Sequence, residues 1–230
     1  MRLEEIRLFA DGLQGEELIQ LVLKHQDKAA CLTCSFQAED MVVLDMIRKV
    51  RPGIPVLFLD TGYHFPEIYA YRDRMAGLWG LNLLNLQPEL KVAEQESKLG
   101  KLFETDPGRC CHLRKVEPLR RALEGYQIWL TGLRREQSPT RAALEEVELQ
   151  RLDSGASILK LSPLARWTTK EVWSYLAVHK IESLPLYEQG YTSIGCQPCT
   201  AVPADPSNPR SGRWGGVKLE CGIHTHSESQ

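Results

Sequence analysis

The 230-residue chain is 43% hydrophobic and 25% charged, the balance of an ordinary soluble globular protein with room for one large domain. Its formal net charge of −2 supplies no overall field toward nucleic acid or a membrane surface, so any anion site must come from locally gathered Arg and Lys. No apolar run approaches the ~20 residues of a membrane span and the first residues lack a signal-peptide core, which predicts a cytoplasmic protein.

Leu and Ile at helical spacing among charges predict a first helix over residues 3–24. KAACLTCSF then reads as a strand and AEDMVVLDMIRKV as a helix. GIPVLFLD has the pattern of a buried strand closed by a DTG turn, and FPEIYAYRDRMAGL is helical with Pro66 suited to its first turn. LNLLNL predicts a third strand. HLRKVEPLRRALEG predicts a helix that Pro118 must start or kink. YQIWLTG and ASILKLSPL supply the fourth and fifth strands, and TTKEVWSYLAVHK carries a capping box, Thr168 with Glu171. Alternation of strand and helix from about residue 29 to 180 is the signature of an α/β fold, a parallel sheet with helices on both faces. The remainder is rich in Pro, Gly and Ser, with no period for another layer. The expected organisation is an α/β domain over residues 1–200 and a flexible tail over 201–230.

The seven cysteines stand at positions 31, 34, 110, 111, 196, 199 and 221. In a reducing compartment, clustered cysteines favour metal binding or redox chemistry over a disulfide framework. Cys110 and Cys111 together with Cys196 and Cys199 make a four-thiolate set, which suits tetrahedral zinc or an iron–sulfur cluster. Two adjacent cysteines chelate one small ion awkwardly, whereas a cubane offers several irons; zinc and plain buried or redox cysteines stay open as alternatives. Cys31 and Cys34 lie on a strand where positions i and i+3 face opposite ways, so Cys31 is read as core.

SFQAED follows the first strand, at the sheet end where open α/β folds bind ligands and a helix N-terminus favours phosphate. TGLRREQSPTR follows the fourth strand at the same end with Arg134, Arg135 and Arg141, and NPRSGRWGG adds Arg210 and Arg213. Arginine forks grip phosphate and sulfate oxygens bidentately, so two such loops in an acidic chain suggest a small polyanionic ligand. His64, His112 and His179 are read as structural or surface residues. Cys221 is a lone thiol near the end of a polar segment, with His224 three residues on.

With SFQAED, FLDTGYHFPE, CCHLRK, TGLRREQSPTR, GCQPC and ECGIH in this order, the chain resembles the iron–sulfur-containing adenosine 5′-phosphosulfate (APS) reductases of the sulfonucleotide reductase family. The resemblance runs from about residue 29 to 224. It implies an adenine-nucleotide α-hydrolase-like fold and a [4Fe–4S] cluster on Cys110, Cys111, Cys196 and Cys199. It also implies that Ser35, Phe36 and Gln37, with Leu59, Asp60, Thr61 and Gly132, hold the nucleotide. Arg134, Arg135, Arg141, Arg210 and Arg213 would neutralise the phosphosulfate, and Lys115 would bridge substrate and cluster. Cys221, assisted by His224, would attack the sulfate sulfur, expel AMP and carry an S-sulfo group until thioredoxin releases sulfite. The implied partners are thus a small-molecule substrate and thioredoxin, with a homo-oligomer allowed and neither nucleic acid nor membrane. Relatives often carry a glycine in the phosphate loop, where this chain has Gln37, and its segment between GRW and ECG is short.

Three rival readings are carried alongside. Reduction of the 3′-phosphorylated substrate (PAPS) is the nearest, although members of the family using it generally lack the four cluster cysteines. A zinc-stabilised nucleotide-binding module would leave Cys221 without a role. An adenylating sulfur-transfer enzyme acting on tRNA would want an SGGxDS loop and a basic surface, and the chain has neither.

Overall fold

The computed structural model describes residues 3–24, 29–205, 208–216, 218 and 220–224. Helices α1 (Leu3–Phe9) and α2 (Gly15–Lys24) replace the single helix expected over 3–24, because the chain takes positive φ at Gly12 between them and at Gly15, where α2 begins. There follow β1 (Ala30–Thr33), α3 (Ala38–Val50), β2 (Pro55–Leu59), α4 (Pro66–Trp79), β3 (Asn82–Leu86), α5 (Val92–Leu99), α6 (Leu102–Thr105) and α7 (Pro107–Cys111). A π-helical turn over His112–Val116 leads into α8 (Glu117–Leu123), then β4 (Ile128–Leu130), β5 (Val147–Arg151), β6 (Ser157–Leu161) and α9 (Thr169–Val178).

The strands form one sheet in the order β3-β2-β1-β4-β6-β5, parallel except for β5, which runs antiparallel to β6. Strand alternation sends Ala30, Leu32, Val56, Phe58, Ile128 and Leu130 into the larger core. Cys31, Leu57, Trp129 and Ile158 face the other way, against Leu119 and Leu123 of α8. Cys31 and Cys34 are thus both buried, in different cores, and burial pushes both thiols above their ordinary value. The antiparallel β5 was not legible as a strand, since VELQR is mostly polar and only its Val147 is fully buried.

Consecutive strands β1, β2 and β3 step one way across the sheet, and the chain then returns to place β4 on the other side of β1. That reversal opens a crevice beyond the carboxyl ends of β1 and β4, where ligands of open α/β sheets bind. The chain beyond α9 folds back over this end. Gln197 donates its backbone N–H to Tyr63 at 2.7 Å, Ala201 donates to Gly212 at 2.8 Å, and Trp214 is buried.

Candidate active site

A cavity of about 670 Å³ occupies the crevice. Its walls include Thr33 to Ser35 after β1, Leu57 to Leu59 of β2, Thr131 to Arg134 after β4, and Arg210, Arg213 and Cys221 from the returning chain. Ser35 donates both its backbone N–H and its hydroxyl to Asp40 Oδ2, each at 2.6 Å, which curls the loop tightly onto the start of α3. Burial pushes the Asp40 carboxyl up to about 6, against the bonds from Ser35. Gly132 sits directly over this turn, and a Cβ there would collide with the Asp40 carboxylate.

Gln37 lies along the cavity wall and spans two segments. Its amide nitrogen donates to Ser35 Oγ at 3.0 Å, and its carbonyl accepts from the Ile194 N–H at 3.0 Å. Gln37 therefore ties the β1 loop to the segment leading into Cys196, and Tyr187 Oη accepts the Ala38 N–H at 3.1 Å to cap α3.

Not every expected binding residue faces the cavity. Phe36 is fully buried, with its ring edge-on to Phe58 and Tyr71, and takes a φ of 61° to get there. Its apolar ring is a core element, and the loop turns around it. Leu59 lines the cavity, but the next two residues leave it. Asp60 accepts from the Gly62 N–H and the Tyr69 hydroxyl, which shapes the turn. Thr61 is buried with its hydroxyl 3.3 Å from Cys196 Sγ.

The arginines divide in the same way. Arg134 is 3% exposed and donates to Glu39, Glu136, the Trp167 carbonyl and Thr169, so its fork is spent on protein groups. Arg135 turns out of the cavity, where it donates to the Leu144 carbonyl at 2.7 Å and lies 3.9 Å from Glu146. Arg141 faces the cavity but holds Glu220 bidentately, through Nε at 3.0 Å and Nη2 at 2.8 Å. Lys115, Arg210 and Arg213 line the same cavity as Cys221, and Arg210 also lies 3.7 Å from Glu220.

The four expected cysteine ligands come together. Asp106 caps α7 by accepting the Arg109 N–H at 2.9 Å, and the helix ends on Cys110 and Cys111. Pro118 has no N–H for the regular helical ladder, and the chain takes the π turn immediately before it. Cys196 and Cys199 bracket a short turn in which Cys199 N–H donates to the Cys196 carbonyl at 3.0 Å. All four line one small pocket behind the main cavity, and Lys115, Arg213 and Trp214 form the wall the two share. Burial first, then the neighbouring thiols, pushes Cys110 and Cys199 each up to about 11. Among the described residues, no group of His, Cys, Asp and Glu is drawn together as tightly as the ligands of a single ion.

Lys115 is 8% exposed, and although burial disfavours its charge, Cys196, Cys221 and Cys111 outweigh that and hold its ammonium above the ordinary value. Arg114, which sequence reasoning passed over, is 3% exposed. It donates to the Thr61 carbonyl at 2.5 Å, the Leu90 carbonyl at 3.2 Å and Gln95 Oε1 at 2.9 Å. It thereby pins the π turn to the loops on either side. A second omission is Glu220, whose only sequence signal is its place beside Cys221.

His224 stacks on Trp129 with ring centroids 5.4 Å apart. Burial, then Lys160 and Arg141, holds its imidazole well below its ordinary value, so the ring is neutral and gives Cys221 no positive charge. Its ring lines the same cavity as Cys221, and the stacking ties the chain end to the sheet. Residues 225–230 of the expected tail lie outside the described residues.

Comparison with known proteins is consistent with this architecture. The family described as "Phosphoadenosine phosphosulfate reductase domain" matches residues 29–202. A curated adenosine 5′-phosphosulfate reductase of Mycobacterium tuberculosis is 48% identical over 198 residues, covering 84% of this chain and 77% of the relative. Its namesake in Mycolicibacterium smegmatis is 45% identical over 212 residues, covering 91% and 88%. The crystal structure of phosphoadenylyl-sulfate (PAPS) reductase from Candida auris, a phosphate complex, aligns with a TM-score of 0.72 at 28% identity, over 86% of this chain and 96% of that one. FMN adenylyltransferase of Candida glabrata, at 14% identity and a TM-score of 0.61 over 86% and 68% of the two chains, shares the fold alone. The family match spans most of the chain and includes the loops after β1 and β4 and all four clustered cysteines, so the protein belongs to the phosphoadenosine phosphosulfate reductase family.

Proposed function

We propose that this enzyme reduces adenosine 5′-phosphosulfate to sulfite and AMP, with Cys221 as nucleophile and thioredoxin as reductant. The observation that carries the reading is the position of Cys221: it lines the nucleotide-sized cavity beside Lys115, Arg210 and Arg213, next to the four-cysteine pocket. The names of the mycobacterial relatives support APS as the substrate.

In this reading the adenosine lies toward the β1 loop and Gly132, and the phosphosulfate toward the three cations. The Cys221 thiolate attacks the sulfate sulfur; an S–S bond forms, the S–O bond to phosphate breaks, and AMP leaves with the electron pair. A thioredoxin thiolate then attacks Cys221 Sγ and expels sulfite, and the second thioredoxin thiol resolves the mixed disulfide, returning the Cys221 thiol. The two electrons come from thioredoxin. Lys115 and Arg213 each lie close enough to Cys221 for charge to act between them, so they stabilise negative charge on the transferring group. A cytoplasmic setting, where thioredoxin is kept reduced, belongs to the same reading.

The donor set of the rear pocket fits an iron–sulfur cluster held by Cys110, Cys111, Cys196 and Cys199. Burial and the neighbouring thiols oppose ionisation of Cys110 and Cys199, and this is relieved when a metal-bearing core takes the place of their protons. A cluster held there would supply a fixed charge to the pocket that Lys115 and Arg213 also line. Iron and sulfide content of anaerobically purified protein separates it from zinc.

The test of the nucleophile is intact and peptide mass after mixing with APS and no thioredoxin. The wild-type peptide containing Cys221 gains about 80 Da, the mass of an SO₃ group, and Cys221→Ser gains nothing while still binding APS. An adduct on another cysteine, or sulfite production by the serine variant, removes Cys221 from this role.

A further inference from the structure

Glu220 immediately precedes the proposed nucleophile, and its side chain is 14% exposed inside the cavity. Oε1 accepts from Thr140 Oγ1 at 2.9 Å and Arg141 Nε at 3.0 Å; Oε2 accepts from Arg141 Nη2 at 2.8 Å and lies 3.7 Å from Arg210 Nη2. Arg141 is fixed in turn, its Nη1 donating to Gln137 Oε1 at 2.5 Å. Burial works against the Glu220 carboxylate, but Arg141, Arg210 and Thr140 outweigh it and keep the group ionised. A bidentate fork of this kind fixes direction as well as distance.

Consecutive Cα atoms are ~3.8 Å apart, so pinning Glu220 confines the thiol of Cys221 to a small arc. On the far side, Gly222 takes a φ of 93° and His224 is stacked on Trp129. Cys221 therefore sits between an ionic anchor and an aromatic one. Arg141 cannot give the same two N–H groups to a substrate anion while Glu220 holds them.

We propose that Glu220 is a positioning residue: its carboxylate docks the chain end on Arg141 so that Cys221 faces the cavity, and Arg141 serves this docking rather than the substrate's phosphosulfate. The proposal rests on Cys221 being the nucleophile. The opposite relation, in which Glu220 is an internal competitor that substrate displaces from Arg141, predicts different results.

The experiment compares the full-length wild type with Glu220→Gln, Arg141→Gln and the double variant. The first readout uses no substrate: the rate at which iodoacetamide alkylates Cys221, followed on its peptide. Each single variant is expected to react about tenfold faster, and the double variant no faster than either single one, because both remove the same contact. The second readout is formation of the S-sulfo adduct at saturating APS, with the APS dissociation constant measured in parallel. Glu220→Gln is expected to form the adduct at least about tenfold more slowly with APS affinity within about twofold of wild type. Tighter APS binding with an undiminished adduct rate identifies Glu220 as a competitor and overturns the proposal. Unchanged alkylation in either single variant, or additive effects in the double variant, overturns it as well. A wild type that forms no adduct overturns the reductase reading instead, and the alkylation rates then decide the docking role by themselves.

Discussion

Arg134 and Arg141 stand seven residues apart in one loop, and in sequence they look like equivalent anion-binding forks. Their surroundings separate them: Arg134 gives its N–H groups to Glu39, Glu136 and two further acceptors, while Arg141 gives its pair to Glu220 from a distant segment. A charge pattern along the chain reports the cations but not the carboxylates that the fold brings to them. Asp40 is the reverse case, a carboxylate without an arginine, held at about 6 because burial outweighs its bonds from Ser35. Its folded value lies above the unfolded one, so its contribution to stability is fully present below pH ~4 and is lost as the pH rises through about 6. Asp40→Asn keeps an acceptor for Ser35 but cannot ionise. Relative to wild type, this variant is therefore expected to gain on the order of 2 kcal/mol in unfolding free energy between pH 4.5 and 7.5, measured by urea unfolding at both values. A difference that stays constant across that range would show that Asp40 keeps an ordinary pKa.

At the scale of elements, the strands and helices with strong hydrophobic periods were legible, because burial on one or both faces writes itself into the residue pattern. The capping box of α9 is formed as read, with Thr168 and Glu171 each bonded to the other's backbone N–H. Polar β5 at the sheet edge was not legible, nor was the π turn, whose cause is the long-range anchoring of Arg114 as much as the local Pro118. That anchoring has a measurable consequence. Arg114→Leu leaves the carbonyls of Thr61 and Leu90 and the amide of Gln95 without their donor in a buried place. The expected cost is about 3 kcal/mol or more, seen as a fall in Tm of roughly 6–12 °C, together with less iron retained per chain if Cys110 and Cys111 hold a cluster. Arg114→Lys keeps the charge but cannot reach three acceptors, so it should restore little of either. Wild-type Tm in the leucine variant would mean that the π turn is held by local sequence alone.

Across the whole molecule, a net charge of −2 conceals a strongly polarised cavity. On the wall with Cys221 stand Lys115, Arg210 and Arg213; at the start of α3 stand Glu39 and Asp40 and in the loop after β4 Glu136, with Arg134 already committed to Glu39 and Glu136. In the proposed reading the phosphosulfate lies at the first end. A nucleotide whose ribose also bears a 3′-phosphate brings further negative charge toward the acidic end, where no uncommitted arginine lines the wall among the described residues. The resemblance implied APS over PAPS through the four cysteines; in the proposed pose the charge of the cavity leads to the same expectation. The expected discrimination is at least about tenfold in kcat/KM for sulfite release from APS over PAPS, or roughly 1.4 kcal/mol. If the acidic end is the cause, Glu39→Gln and Glu136→Gln should each narrow the ratio, by raising turnover of PAPS more than that of APS. The same pair of assays, run at two salt concentrations, should show the ratio shrinking as screening weakens the repulsion. Equal rates on both substrates in the wild type would mean that the 3′-position points away from Glu39, Asp40 and Glu136, and would make the protein a dual-specificity reductase.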